Sequence, residues 1–167
     1  MAVGAPRVVL DTNVCLDLFV FADARCARLG AALRAGVVEA VTCAACEDEW
    51  RSVLAYPQLA LEQAARARAI AAFDGLVRRL PEAVLPAWRL PRCADPDDQK
   101  FLALAAGAGA RWLLSRDRAL LTLHRRCLRD GDCAVVTPQA WPAPHSDPLA
   151  PASSADAPAQ GLSAKPV

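Results

Sequence analysis

Acidic residues follow two apolar segments of this sequence, at the points where those segments end. Asp11 comes directly after residues 7–10, and Asp117 comes shortly after residues 111–115. Short, continuous apolar runs of this kind are typical of buried parallel strands. Because the carboxyl ends of parallel strands meet at one edge of a sheet, we expect Asp11 and Asp117 to face a common crevice.

Two further acids lie on helices that are expected to reach the same crevice. Asp98 closes an Asp-Pro-Asp-Asp segment, in which Asp95 is the expected helix N-cap and a proline takes the first helical position. Glu49 lies on a helix predicted over residues 46–54. Carboxylates that share a crevice repel one another unless cations lie between them. Oxygen ligands suit hard divalent ions, so the predicted cofactor is Mg²⁺ or Mn²⁺.

The elements that would position these acids alternate between short apolar segments and longer helical ones. This alternation favours an α/β fold with a largely parallel sheet. Helical patterns cover residues 24–34 and the segment that begins at Asp95. Residues 37–41 and 134–137 are further strand candidates, and residues 61–80 predict one long helix or two shorter ones.

The chain has 167 residues, which is the size of one domain with an extension. Residues 1–141 are predicted to form a single globular domain. Residues 142–167 are rich in proline, alanine and serine, a composition typical of a disordered tail. The overall content of 54% apolar and 22% charged residues excludes a chain that is disordered throughout.

Charge and hydropathy bear on the protein's location. The net charge of +1 argues against an extended polybasic surface. The longest apolar run, residues 101–110, is far shorter than the ~20 residues of a membrane helix, and the first residues lack a signal-peptide pattern. We therefore expect a cytoplasmic protein without membrane contact. Its seven cysteines are expected to be reduced thiols, and the single CxxC motif, Cys43 to Cys46, has no second pair with which to bind zinc.

Four motifs, in this order, closely resemble those of the PIN-domain ribonucleases. They are Asp11-Thr12-Asn13, the Glu-Trp-Arg-Ser-Val-Leu segment at 49–54, the segment at 95–105, and Ser115-Arg116-Asp117. The resemblance covers about residues 7–141. The most similar branch is that of the toxin components of toxin–antitoxin systems, relatives of the VapC-type toxins. It implies a three-layer α/β/α sandwich with a mostly parallel central sheet.

The resemblance also implies roles for individual residues. The family's four catalytic, metal-binding acids map onto Asp11, Glu49, Asp98 and Asp117. Asp95 matches an additional acid of this branch, Asn13 the residue that supports the first aspartate, and Ser115 the residue that precedes the fourth acid. Many relatives carry another acid two positions after the fourth, where this chain has Ala119.

The implied activity is metal-dependent endoribonuclease cleavage. A bound metal would polarise the phosphodiester and lower the pKa of the attacking water. The implied partners are RNA, an antitoxin protein and a second copy of the chain. Arg116 and Lys100, beside the predicted site, are either phosphate contacts or ordinary surface charges.

Other acids close to these motifs are not expected to take part in the site. Asp17 is predicted to lie on a helix surface and Asp23 at a helix start. Glu47 and Asp48 are predicted to be exposed charges on the same helix as Glu49.

Two other functions are open. One is a catalytically silent PIN-like module that binds RNA or a protein, although the presence of all four acids argues against it. The other is a haloacid-dehalogenase-like phosphatase with Asp11 as its nucleophile. The motif of that family requires a second aspartate two positions later, where this chain has Asn13.

Overall fold

The computed structural model describes residues 4–81 and 90–144 of the chain. Its strands form one parallel sheet and comprise β1 (Arg7–Leu10), β2 (Glu39–Thr42), β3 (Val77–Arg79), β4 (Trp112–Leu114) and β5 (Ala134–Val136). Their spatial order is β3-β2-β1-β4-β5. Strands β2 and β3 thus lie in chain order on one side of β1, and β4 and β5 lie in chain order on its other side. Strand order reverses between β1 and β4, which is where open parallel sheets bind ligands.

Helices connect the strands in the described part of the chain. They are α1 (Thr12–Phe19), α2 (Ala27–Arg34), α3 (Ala44–Val53), α4 (Gln63–Leu76), α5 (Gln99–Gly107), α6 (Arg118–Leu121) and α7 (His124–Gly131). Single 3-10 turns cover Ala24–Cys26, Pro57–Leu59 and Pro96–Asp98. None of the described helices is long and apolar enough to cross a membrane.

Alternate residues of the central strand point into two separate hydrophobic cores. Val8 and Leu10 pack with residues of α1 to α4, including Phe73. Val9, from the opposite face of the same strand, packs with residues of α5 to α7, including Phe101. This two-residue alternation is what a strand buried on both faces requires. The predicted three-layer α/β/α sandwich is confirmed.

Helix α3 contributes to both cores instead of lying on one face of the sheet. Cys46 belongs to the core that contains α5, and Trp50, one turn later, belongs to the core that contains α1 and α4. The helix also contacts both α1 and α5. Glu49, between these two anchors, is therefore carried to the carboxyl edge of the sheet.

The prediction of a helix through residue 80 is wrong, because the helix ends at Leu76 and residues 77–79 form edge strand β3. Only Val77 of this strand is buried, while Arg78 and Arg79 are exposed. The strand consequently lacks the continuous apolar pattern that identifies β1 and β4. Beyond Pro144, the predicted tail lies outside the described residues and stays a prediction.

Candidate active site

Asp11 lies where strand order reverses. Its backbone N–H donates to the carbonyl oxygen of Leu114 at 2.9 Å, so it extends the pairing between β1 and β4. The residue is 4% exposed, and its Oδ2 accepts hydrogen bonds from Ser115 Oγ at 2.6 Å and from Asn13 Nδ2 at 2.8 Å. Burial raises the pKa of Asp11, and the hydrogen bonds from Ser115 and Asn13 oppose that shift. Both bonds end on one oxygen, which fixes the carboxylate while neither engages Oδ1.

The segment after β4 connects Asp117 to Asp11. Ser115 is fully buried, and its N–H donates to the carbonyl of Val136 at 3.1 Å. Its Oγ accepts the N–H of Asp117 at 2.8 Å while donating to Asp11. Asp117 Oδ1 accepts the N–H of Ala119 at 2.6 Å and so caps α6. The Ser115 hydroxyl is thus the hydrogen-bonded link between two predicted site acids.

Asp98 lies in the 3-10 turn that leads into α5. Asp95 caps this turn, since its Oδ1 accepts a backbone hydrogen bond of 2.9 Å from inside the turn, as the sequence predicts. The pKa of Asp98 is raised to about 6, first by burial and then by the charges of the surrounding acids Asp11, Asp117, Asp95 and Glu49. The predicted acids are therefore close enough to act on one another electrostatically.

Glu49 reaches from α3 towards α1. Its Oε1 accepts the hydroxyl of Thr12 at 2.5 Å, and its Oε2 forms an ion pair with the ammonium of Lys100. Lys100 also donates to the carbonyl of Asp97 at 2.7 Å. Partial burial acts against protonation of Lys100, but pairing with Glu49 raises its pKa. One of the two predicted phosphate contacts is thus bonded to a predicted metal ligand.

The prediction that Asp17 lies on a helix surface is wrong. This residue of α1 is 3% exposed, and its carboxylate pairs with the guanidinium of Arg116. Asp17 follows Asn13 by four positions, so both side chains lie on the face of α1 that meets the segment after β4. Arg116, the other predicted phosphate contact, is therefore also paired with a carboxylate.

Glu47 is likewise not the exposed charge that the sequence predicts. It is 8% exposed and pairs with Arg51 at 2.8 Å and with Arg79 at 3.5 Å. Successive residues of a helix point about 100° apart, so three consecutive acids of α3 meet three different environments. Asp48 is exposed, while Glu49 reaches Thr12.

The predicted ligand set consists of carboxylates, which is the chemistry that Mg²⁺ or Mn²⁺ requires. Burial is the main cause of the raised pKa of both Asp11 and Asp98, and the charges of neighbouring acids add to it, a repulsion that a divalent cation would offset. Across residues 4–81 and 90–144, however, no three His, Cys, Asp or Glu side chains are arranged around a common ion position. Glu49 and Asp117 are bonded to neighbouring donors instead. The residues fit a divalent cation by charge and donor type, and binding would require side-chain rearrangement.

Thr12 and Asp17 are the site residues that sequence reasoning missed. Thr12 stands inside the Asp11-Thr12-Asn13 motif, and its hydroxyl bonds Glu49, a residue 37 positions away. Nothing local indicates that contact. The four-residue spacing from Asn13 to Asp17 was the available signal for Asp17, since it places both on one helix face.

Comparison with known proteins agrees with this geometry. A family model described as PIN domain matches residues 7–119, which is more than half of the chain and includes every predicted site residue. No curated protein matches the chain significantly. PIN domains are in general nucleases, and those nucleases typically use divalent metals. The chain belongs to the PIN-domain family.

Proposed function

We propose that the protein is a Mg²⁺- or Mn²⁺-dependent endoribonuclease that acts in the cytoplasm as the toxin of a toxin–antitoxin system. The observation that carries the proposal is the hydrogen-bonded link from Asp11 through Ser115 to Asp117. This link spans the reversal of strand order in a PIN domain. Strand-end carboxylates at such a crevice are placed where a substrate can enter.

The cation would be held by carboxylates from four separate segments of the chain. In this proposal the ligands are Asp11, Glu49, Asp98 and Asp117, with Asp95 beside them. Bound there, a divalent cation supplies Lewis-acid activation of the phosphodiester and of the attacking water. Asn13 and Ser115 hold the Asp11 carboxylate in one orientation through its Oδ2. Outer partners of this kind fix the geometry of a ligand and tune its basicity.

Charge supports RNA as the substrate. Residues 1–141 contain 18 basic and 16 acidic side chains. With the four site acids neutralised by metal, the balance of this domain becomes clearly basic. Positive charge around a metal site attracts and positions a phosphate backbone without reading its sequence.

Cleavage of RNA by the purified full-length chain tests this function. Fluorescently labelled single-stranded and hairpin RNAs are incubated with Mn²⁺ or with a chelator, using wild-type protein and Asp11→Asn. We expect cleavage only with metal, and a loss of at least about 100-fold in the variant, because a metal ligand is removed. Equal cleavage by the variant, or cleavage in chelator, would contradict the proposal. Calorimetric Mn²⁺ binding without turnover would instead favour the silent binding module.

The toxin role and the partners need separate experiments. Induced expression of the wild-type chain should arrest growth, and Asp11→Asn should not. Coexpression of a small protein encoded beside this gene should relieve the arrest and copurify with the chain. Light scattering of the purified protein should give the mass of a homodimer. Normal growth on expression of an active nuclease would contradict the toxin role while leaving the chemistry intact.

A further inference from the structure

Asp17 is a buried carboxylate with no place in the proposed chemistry. It is 3% exposed, and it lies on α1 one turn beyond Asn13. A buried charge is costly unless it is paired and hydrogen-bonded. Arg116 supplies both requirements, with Nε 2.5 Å from Oδ2 and a terminal guanidinium nitrogen 3.1 Å from Oδ1. This two-point contact is stronger and more directional than a single ammonium contact.

Arg116 is attached to α1 by its backbone as well as by its side chain. Its N–H donates to Oδ1 of Asn13 at 3.1 Å, while the guanidinium reaches Asp17 one turn further along the same helix. Asn13 uses its other polar atom, Nδ2, to bond Asp11. One face of α1 thus holds both ends of Arg116 and one side of the Asp11 carboxylate.

The residues on either side of Arg116 both belong to the predicted site. Ser115 bonds Asp11, and Asp117 donates its N–H to Ser115. The segment from Ser115 to Asp117 lies between β4 and α6, so regular structure does not fix its middle residue. Besides the hydrogen bond from Ser115 to Asp11 at the start of α1, the segment is attached to this helix through Arg116.

We propose that Arg116 is a positioning residue, whose ion pair with buried Asp17 holds the segment Ser115–Asp117 against α1 and so places Asp117 relative to Asp11. This inference rests on the proposed nuclease function, which it deepens by assigning a residue that sets metal affinity without contacting metal or RNA. The guanidinium points at a buried acid of its own chain. Its effect on cleavage is therefore indirect.

A direct phosphate contact by Arg116 predicts the opposite behaviour in one variant. Asp17→Asn would release the guanidinium, so RNA binding would be kept or improved. In the positioning role, Asp17→Asn and Arg116→Gln both loosen the segment, because each breaks the same ion pair, and Arg116→Gln also leaves the Asp17 carboxylate buried without a cation. The double variant is then no worse than either single one.

The test combines a metal-free readout with metal binding and cleavage. We expect amide hydrogen exchange at Arg116 and Asp117 to speed up about tenfold in the metal-free single variants, as the segment opens more often. Mn²⁺ affinity measured by calorimetry should weaken about 10-fold or more, the range typical of lost outer-shell support. The rate constant for cleavage should fall while the KM for RNA stays within about twofold. Arg116→Lys, which keeps the charge with a single contact point, should give an intermediate loss.

Arg129→Gln is the matched control. Arg129 of α7 pairs with its neighbour Asp130 at 2.7 Å, and both residues are exposed. This variant should leave all three readouts unchanged.

Two results overturn the inference. One is unchanged exchange and Mn²⁺ affinity in Asp17→Asn, and the other is a raised KM in Arg116→Gln with an additive double variant. If wild-type protein neither binds Mn²⁺ nor cleaves RNA, the proposed function fails, and amide exchange still reports separately on whether the ion pair holds the segment.

Discussion

Carboxylates at the amino ends of the strands and at their carboxyl ends lie in opposite electrostatic environments, and we call these two sides of the sheet the amino edge and the carboxyl edge. At the start of β2, Glu39 accepts hydrogen bonds from Arg78 at 2.9 Å and from Arg7 at 3.0 Å. The Arg78 hydrogen bond, opposed by partial burial and assisted by Arg7, lowers the pKa of Glu39. At the carboxyl edge, burial and neighbouring acids raise the pKa of Asp98 to about 6. At the amino edge the chain's own arginines neutralise Glu39. At the carboxyl edge several acids lie together, and their charges are not fully balanced by basic side chains. A site that binds a divalent cation requires carboxylates that the protein's own basic side chains do not neutralise.

The largest expected difference between the carboxyl edge and the amino edge is in how variants there change the stabilisation of the protein by metal. At Mn²⁺ concentrations about 100 times Kd, the wild-type protein should gain about 3 kcal/mol in unfolding free energy, measured by denaturant titration. Asp98→Asn should lose most of this gain, because it removes a ligand of the proposed site. Glu39→Gln, at the other edge, should keep it. An equal gain in all three proteins would place the metal elsewhere.

Removing the Ser115 hydroxyl should have the next largest effect. In Ser115→Ala, the buried carboxylate of Asp11 loses a donor and the N–H of Asp117 loses its acceptor. We expect a loss of about 2 kcal/mol in unfolding free energy and a further rise in the pKa of Asp11. Ser52→Ala is the control, since that hydroxyl bonds a backbone carbonyl on the exposed side of α3. Equal stability of the two variants in urea would contradict the assigned role of Ser115.

Removing the charge of Asp98 should stabilise the metal-free protein. Its pKa is about 6 in the folded chain and 3.8 in an ordinary environment, so its ionisation opposes folding at neutral pH. This penalty is full above pH 6, shrinks as pH falls towards 3.8, and is absent below that value. After allowance for solvent exposure, we expect Asp98→Asn to gain about 1 kcal/mol at pH 7.5 and nothing at pH 4. Asp97→Asn, an exposed neighbour, should show no such pH-dependent gain. A destabilised Asp98→Asn at pH 7.5 would contradict this account.

The smallest expected effect is at Glu39, where the variant loses stability whereas Asp98→Asn gains it. Glu39→Gln should lose about 0.5–1 kcal/mol at neutral pH, because its ion pairs are only partly buried. The pKa of Glu39 is lowered from 4.5, so this stability is present above that pH and disappears as pH falls through the folded value. The difference in midpoint between wild type and Glu39→Gln should therefore vanish in acid. A difference that grows in acid would show that Glu39 is not stabilised as an anion.

The positions of Asp11 and Asp98 at the carboxyl edge of the sheet could be predicted from sequence because their signals are local. A strand that ends in Asp11 and a capped turn before Asp98 are patterns within a few residues, and the parallel sheet then determines which ends meet. The position of Glu49 on the helix after β2 predicts that it reaches the crevice, and the family resemblance distinguishes it from its acidic neighbours, which look like an ordinary exposed helix face.

What could not be predicted depends on contacts between distant elements. The burial of Asp17 depends on the segment after β4, which lies 99 positions away at Arg116. Glu47 is buried because α3 crosses the sheet edge near Arg79, and β3 forms although only Val77 of its three residues is buried. Asp17 and Glu47 look solvent-exposed in sequence, and in both cases an arginine from another segment, Arg116 or Arg79, offsets the cost of burying the carboxylate.

The central claim is that the carboxyl edge of the sheet, with Asp98, and not the amino edge, with Glu39, carries metal-dependent nuclease chemistry. The most direct test is the single-turnover rate of RNA cleavage in Mn²⁺ for Asp98→Asn beside Glu39→Gln, at a temperature where both are folded. We predict a rate at least about 100-fold below wild type for Asp98→Asn and an unchanged rate for Glu39→Gln. Equal rates for Asp98→Asn and wild type would contradict the account.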